Sequence, residues 1–278
     1  MSKNKLVMPI VKWVGGKRQI IDDITKCIPK FSTYYEPFLG GGAVLFELQP
    51  KKAVVNDQNE ELMNMYTVIR DNVEDLIHLL AQHKNDKEHF YKVRELDRDK
   101  KLYATLSNIE KAARIIYLNK TCYNGLFRVN RAGEFNTPFG KYKNPKILDE
   151  VTLRAVSHYL NHSKIKLLNE DFEMSLKGIR KGAFVYFDPP YDPISDTASF
   201  TGYDKGGFGR EEQIRLKKVC DRLNERGIKF LLSNSATDFI LDLYKDYSIT
   251  FVKARRAINS IAEKRGEVYE VLVMNYEQ

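Results

Sequence analysis

The sequence predicts an α/β protein built on a doubly wound, mostly parallel seven-stranded sheet that carries a helical and hairpin insert. Three observations lead to this expectation. Short apolar runs bounded by turn residues alternate with stretches of helical period, the pattern of a largely parallel sheet. A cluster of glycines follows an early run. From about Asn85 to Leu160 the alternation stops, and the chain reads as helix followed by a Gly-, Asn- and Pro-rich stretch.

In chain order, the first helical pattern runs from Gln19 to Ile28, ahead of Pro29. The aromatic run Tyr34 to Leu39 reads as a strand ending at the glycines, and Ala43 to Leu48 as a short helix after them. Lys52 to Asn56 is a second strand, and Glu60 to His83 keeps one helical period throughout. Beyond the insert, strands are expected at Ile165 to Leu168, Phe184 to Phe187, Ile228 to Ser233, Ile249 to Val252 and Val268 to Met274. A helix from Glu211 to Arg226 precedes the third of these, with Gly227 where a helix commonly ends. The expected division is a main domain of residues 1–84 and 161–278 around an insert of residues 85–160.

Composition narrows the classes. With 43% hydrophobic and 29% charged residues the 278-residue chain is globular, and no apolar run approaches the roughly 18 residues of a membrane span. Met1 to Lys5 leads into no apolar signal region, so the expected location is the cytoplasm. Cys27, Cys122 and Cys220 lie far apart, and the five histidines lack metal-site spacing, so neither a disulfide framework nor a metal centre is expected. The net charge of +8 is localised. Residues 84–146 hold 15 Lys and Arg against 7 Asp and Glu, while the remainder holds 30 of each sign. Phe90, Tyr91, Tyr103, Tyr117, Tyr123, Phe127, Phe135, Phe139 and Tyr142 are interleaved with these charges, which suits a nucleic-acid surface.

In a doubly wound sheet, ligands gather beyond the C-terminal ends of the strands, and the unusual residues fall there. "EPFLGGG" places Gly40, Gly41 and Gly42 between a strand and a helix, where the backbone can approach a ligand closely. Asp57 ends the following strand, in the position of an acid that grips ribose hydroxyls. The pair fits an adenosine-bearing cofactor. Leu45 stands where a dinucleotide fingerprint needs its third glycine, which argues against NAD. "WVGGKR" fails as a phosphate loop, because Val11 and Arg18 replace its glycine and its Ser or Thr.

The most telling stretch is "AFVYFDPPYD". Pro189 and Pro190 remove two donors and fix φ, so this strand tip offers the Asp188 carboxylate, rigid carbonyls and the Tyr191 ring, and donates almost nothing. That set suits a flat group bearing an exocyclic amine. The lone pair of such an amine is conjugated into the ring, so acceptors on its N–H protons and a carboxylate beside the developing charge favour transfer to it. A base inside a duplex cannot reach such a tip and has to be flipped out.

Taken in order, "KWVGGK", "EPFLGGG", "YNGLFRVNRAGEFNTPFGKY", "DFEM" and "DPPY" closely resemble the DNA adenine methylase (Dam) family over nearly the whole chain, nearest to the members that accompany GATC restriction systems (DpnII-type). The resemblance implies a Rossmann-like S-adenosylmethionine-dependent methyltransferase that modifies adenine N6 in duplex GATC, as a monomer. A cognate restriction endonuclease would act on the same site without forming a stable complex. By motif match, Trp13, Lys17, Asp57 and Asp188 fall at cofactor contacts. Phe38, Gly40 and Gly42 form the glycine turn, and Asp171 and Phe172 border the cofactor's adenine. Asp188, Pro189, Pro190 and Tyr191 form the catalytic tetrapeptide. Tyr123, Asn124, Leu126, Arg128, Asn130, Pro138, Lys141 and Tyr142 fall on the DNA-reading hairpin. Arg128 matches a guanine-reading arginine, whose fork suits two acceptors on one base edge. Lys141 stands where many relatives carry Arg, so a phosphate contact is expected there rather than a base contact.

Three other readings compete. An NAD-linked oxidoreductase lacks its third glycine and has no use for an acceptor-only tip. A non-catalytic nucleic-acid-binding protein would explain the basic insert but not Asp188. An amino-methyltransferase acting on RNA or protein uses similar tips, usually with Asn in the first place.

Overall fold

The computed structural model describes residues 3–193, 207–255 and 267–277. Seven strands form one sheet: β1 Thr33–Glu36, β2 Lys52–Asn56, β3 Lys164–Leu168, β4 Ala183–Phe187, β5 Lys229–Ser235, β6 Ser248–Arg255 and β7 Glu267–Met274. Their order is β3-β2-β1-β4-β5-β7-β6. β1 runs parallel to β2 and to β4, and β4 parallel to β5. β7 lies antiparallel between β5 and β6. All seven expected strands are present in a mixed, mostly parallel sheet. The order reverses between β1 and β4, which puts the topological switch point where the chain leaves these two strands. β1 stops at Glu36, short of the expected Leu39, because Pro37 has no N–H with which to continue the ladder.

The helices among the described residues are α1 Ile21–Cys27, α2 Ala43–Leu48, α3 Glu60–Asp71, α4 Val73–Ala81, α5 Lys87–Glu95, α6 Lys100–Thr105, α7 Asn108–Thr121, α8 Glu150–His162, α9 Arg210–Glu225 and α10 Asp238–Leu243. None is long and apolar enough to cross a membrane. The single helix expected over Glu60 to His83 is two. Asn72 leaves helical geometry at φ −137° while its N–H closes α3 on the Val68 carbonyl. The Asn72 carbonyl accepts the Leu76 N–H that opens α4, so one residue closes one helix and starts the next while the apolar period continues across the break. α1 begins later than expected, after a 3-10 turn at Lys17–Gln19, and extended backbone at Ile28 ahead of Pro29 ends it.

The chain divides into two compact units, each discontinuous in sequence. The first comprises Met1–Gly16, Gly40–Lys51 and Asn56–Glu170; the second comprises Lys17–Leu39, Lys52–Val55 and Asp171–Gln278. In the first unit, α3 packs against α7 and α8, and the buried rings of Phe46, Tyr66 and Tyr159 meet beneath α2. In the second, both faces of β4 are covered. Val185 and Phe187 join the cluster with Leu216, Val219, Leu232 and Val273, while Phe184 meets Tyr34 and Phe31 on the other side. Full burial of each such side chain is worth roughly 1.5–3 kcal/mol, and the continuous run of five buried residues in β4 reflects a strand covered on both faces. The buried hydroxyl of Tyr186 is paired with Ser233 Oγ at 2.8 Å.

Candidate active site

In the first unit, the glycine turn is built around an acid and an indole. Gly40 and Gly42 have φ of +50° and +70°, the left-handed region that glycine enters without strain. The Gly40 N–H donates to Asp57 Oδ2 at 2.8 Å, the Asn59 N–H to Asp57 Oδ1 at 2.9 Å, and the Tyr66 hydroxyl to the Gly40 carbonyl at 3.0 Å. Space demands glycine too. A methyl group on Gly40 would stand 3.0 Å from Trp13 Cδ1, and one on Gly42 2.8 Å from Phe46 Cε2. Asp57 therefore fixes the turn by accepting from it, and Trp13 covers it.

In the second unit, β4 delivers Asp188. Its Oδ1 lies 2.7 Å from Lys17 Nζ, and that ammonium, only 4% exposed, also sits 4.5 Å from the centre of the Tyr191 ring. Burial pushes the Asp188 carboxyl up to about 6; Lys17 opposes the shift, and the negative charge of Glu270 adds to it. The Tyr191 hydroxyl donates to Glu270 Oε2 at 2.8 Å. Burial, with the Asp188 and Glu270 charges, also raises the Tyr191 phenol well above its ordinary value. Below the tip, Gln213 Nε2 donates to the Pro190 carbonyl at 2.8 Å, and Asn234 Nδ2 donates to Gln213 Oε1 at 3.0 Å. The buried Asp192 accepts from Thr237 Oγ1 and Arg210 Nε, and its carbonyl accepts from Ser235 Oγ. The prolines set the direction of the tip, and this amide and hydroxyl network holds it. Pro189 is buried and Pro190 exposed.

Also in the second unit, Phe38 lies against Phe172, with ring centres 5.2 Å apart, and the Arg215 guanidinium covers Phe172 at 4.1 Å. Arg215 is ion-paired with Asp171, whose other oxygen accepts the Glu173 N–H.

The basic insert contains the expected hairpin in the first unit. Its arms are joined at two antiparallel bridges, Cys122 with Phe139 and Val129 with Phe135. The turn closes with the Gly133 N–H on the Asn130 carbonyl, Gly133 having φ +75°. The Asn130 side chain builds this turn: Oδ1 accepts the N–H groups of Ala132 and Glu134, and Nδ2 donates to Glu134. Arg128 is exposed, its Nε donating to Asn136 Oδ1 at 2.7 Å. Tyr123, Asn124 and Pro138 are exposed, and Leu126 and Tyr142 half-buried. Lys141 is exposed at φ +54°. Phe127 stacks on Trp13 at 4.8 Å, so the indole that covers the glycine turn also touches the hairpin. Asn119 reinforces the junction: Oδ1 accepts the Lys12 N–H, and Nδ2 donates to the carbonyls of Lys12 and Gly125.

Residues 13–258 match the family model of the D12 class N6 adenine-specific DNA methyltransferases. The chain belongs to that family. It is 44% identical over 280 residues to a type II methyltransferase, M1.LlaDCHI, of Lactococcus lactis subsp. cremoris, covering 99% of this chain and 98% of the relative. It is 44% identical to the type II methyltransferase M.MjaIII of Methanocaldococcus jannaschii, covering 97% and 99%. It is 32% identical to the DNA adenine methylase of Escherichia coli strain K12, covering 99% and 96%. The enzyme is thus an adenine-specific DNA methyltransferase, and the oxidoreductase and non-catalytic classes are excluded.

Several residues that shape this candidate site were not singled out by their sequence. Glu270, Gln213, Asn234 and Arg215 come from elements distant in the chain. Glu270 carried one signal, an acid inside the apolar strand "VYEVLV", a position where charge is rare without a partner. Gln213 and Arg215, in an amphipathic helix rich in polar residues, carried none.

Proposed function

We propose that this methyltransferase uses S-adenosylmethionine and methylates N6 of an adenine flipped out of duplex DNA, within GATC. The observation that carries the reading is Asp188, an acid ending a fully buried strand and held against Lys17, with Tyr191 beside it. Asp188 accepts a hydrogen bond from the target amine and stabilises the positive charge that grows on nitrogen, which requires the carboxylate form. Tyr191 holds the extruded adenine by stacking, its own ring pinned by Glu270.

The residues fit the cofactor in chemistry. Asp57 is an acceptor-only group with its carboxylate oriented by two backbone N–H groups, as the hydroxyls of a ribose require. By motif match, Trp13, Lys17, Phe38, Gly40, Gly42, Asp57, Asp171, Phe172 and Asp188 are assigned to the cofactor. Bound S-adenosylmethionine supplies an electrophilic methyl group on a sulfonium. The insert of residues 85–160 is assigned to DNA. Arg128 reads a guanine, Lys141 neutralises a phosphate, and Tyr123, Asn124, Leu126, Asn130, Pro138 and Tyr142 complete the hairpin surface. Two relatives are named type II methyltransferases, which supports a companion endonuclease acting on the same site.

Two measurements test the reading. Tritium transfer from labelled S-adenosylmethionine to plasmid DNA should depend on the cofactor and on Asp188. Mapping methylated adenines in a genome that expresses the protein should place them in GATC. Label in another sequence overturns the site, and label in RNA or protein alone overturns the substrate.

A further inference from the structure

Within the first unit, a buried group of charges surrounds Asp97, which follows α5 and is 3% exposed. Its Oδ1 lies 2.5 Å from Arg98 Nη1 and its Oδ2 2.7 Å from Nη2 of the buried Arg114 on α7. Arg114 is anchored in turn, donating to the backbone carbonyls of Val93 and Arg94 at 3.0 and 2.8 Å. The pair Asp97 and Arg98 then reaches out to the hairpin, where Arg98 Nε lies 3.6 Å from Glu134 Oε2 and both backbone groups of Phe135 are engaged. The Phe135 N–H donates to Asp97 Oδ2 at 2.7 Å, and Arg98 Nη2 donates to the Phe135 carbonyl at 2.7 Å. An acceptor and a donor side by side reproduce what a neighbouring strand would offer, so they close the outer edge of a two-armed hairpin that is otherwise marginal by itself.

The consequence falls on the next residue. Asn136 donates its N–H to the Arg128 carbonyl at 2.9 Å and accepts Arg128 Nε on its side-chain oxygen at 2.7 Å. Fixing both backbone groups of Phe135 fixes Asn136, and Asn136 aims the Arg128 fork.

We propose that Asp97 and Arg98 are a positioning pair that sets the register of the hairpin and thereby the sequence discrimination delivered by Arg128. The inference rests on the reading of the hairpin given above. Asp97 supplies the acceptor and holds Arg98 in place, Arg98 supplies the donor, and the buried Arg114 holds the Asp97 carboxylate from the other side. A buried carboxylate with two guanidinium partners costs desolvation energy that a packed apolar residue would not, and what this trio provides in return is a fixed direction.

The test compares methyl transfer by the full-length protein on a duplex carrying the site mapped for the wild type with transfer on duplexes changed at each base pair in turn. Binding to a duplex without the site, cofactor affinity and thermal melting are measured alongside. Arg98→Ala is expected to lose about tenfold in discrimination, the scale of one hydrogen bond removed from a buried carbonyl, and at the base pair affected by Arg128→Ala. Siteless-duplex and cofactor affinities should stay as in the wild type, and Arg98→Ala with Arg128→Ala should lose no more than Arg128→Ala alone. If Arg98→Ala does not fold, Arg98→Lys is read in the same way, since one ammonium keeps the charge beside Asp97 without the second arm for Phe135. Equal weakening on every duplex makes Arg98 a phosphate contact and overturns the proposal, as do additive losses in the double variant. Intact discrimination in Arg98→Ala where Arg128→Ala has lost it overturns the positioning pair alone. Intact discrimination in Arg128→Ala overturns the hairpin reading beneath it.

Discussion

Lys17 Nζ lies 2.7 Å from Asp188 Oδ1, and the same ammonium lies 4.5 Å from the centre of the Tyr191 ring. One buried cation therefore serves both the acid at the end of β4 and the aromatic residue three places on. It keeps a carboxylate ionised where burial opposes charge, and Glu270 on β7 pulls the other way.

The first expectation concerns pH. Asp188 must be ionised to accept from an amine, and its carboxyl is raised to about 6 against an ordinary value near 4. Protonation on the acid side removes the acceptor, so kcat/KM should fall as pH drops through about 6. Glu270→Gln removes a neighbouring negative charge and should move that midpoint down, while Lys17→Met removes the positive one and should move it up. Rate profiles from pH 5 to 8 decide the matter, and a flat profile rules out Asp188 as the titrating group.

The strand tip itself should separate binding from chemistry. Asp188→Ala is expected to abolish turnover while keeping duplex binding through the basic insert. Because that variant leaves the buried Lys17 without this partner, Asp188→Asn is the gentler companion and should also be severely impaired. Tyr191→Phe loses only the hydroxyl bond to Glu270 and should keep much activity. Tyr191→Ala loses a stacking contact worth roughly 1–3 kcal/mol and should lose most of it. Emission from 2-aminopurine at the target position reports extrusion directly. Near wild-type methylation by Asp188→Ala would leave the tetrapeptide as a stiff turn and nothing more.

For the cofactor, Asp57→Ala should weaken S-adenosylmethionine binding by roughly 1.5–3 kcal/mol, the range for charge-assisted hydrogen bonds. Part of that loss arises inside the protein, because the substitution also strips the acceptor from the Gly40 and Asn59 N–H groups that shape the turn. Calorimetry on the folded variant measures it, and unchanged affinity would remove Asp57 from the site.

On the hairpin, Arg128→Ala should lose about 1–3 kcal/mol of discrimination at one guanine while binding to other duplexes persists. Lys141→Ala should weaken all duplexes alike and lower the salt dependence by about one phosphate. Titrations at several salt concentrations on matched and mismatched duplexes separate the two. Equal changes of sequence preference in both variants would show that the division into base and phosphate contacts is wrong.

The sequence by itself determined the order and type of the strands, because each run is apolar, short and bounded by turn residues whose chemistry is local. Ala43–Leu48 and Lys52–Asn56 fall where composition alone puts them. It also marked the glycine turn and the acid, prolines and tyrosine after β4, since φ limits and missing donors are properties of single residues. Asn72 shows where local reading stops: the apolar period crosses it unbroken, and only the backbone of the folded chain reveals two helices. The tertiary structure alone decided which partners give these residues their properties. Lys17 precedes β1 and Asp188 follows β4; Glu270 lies on β7, and Asp97 lies beyond α5 opposite Phe135. Such pairings join residues far apart in the chain. The raised pKa of Asp188, the placement of Tyr191 beside Lys17 and Glu270, and the direction of Arg128 arise from burial and from hydrogen bonds that exist only once each unit has folded.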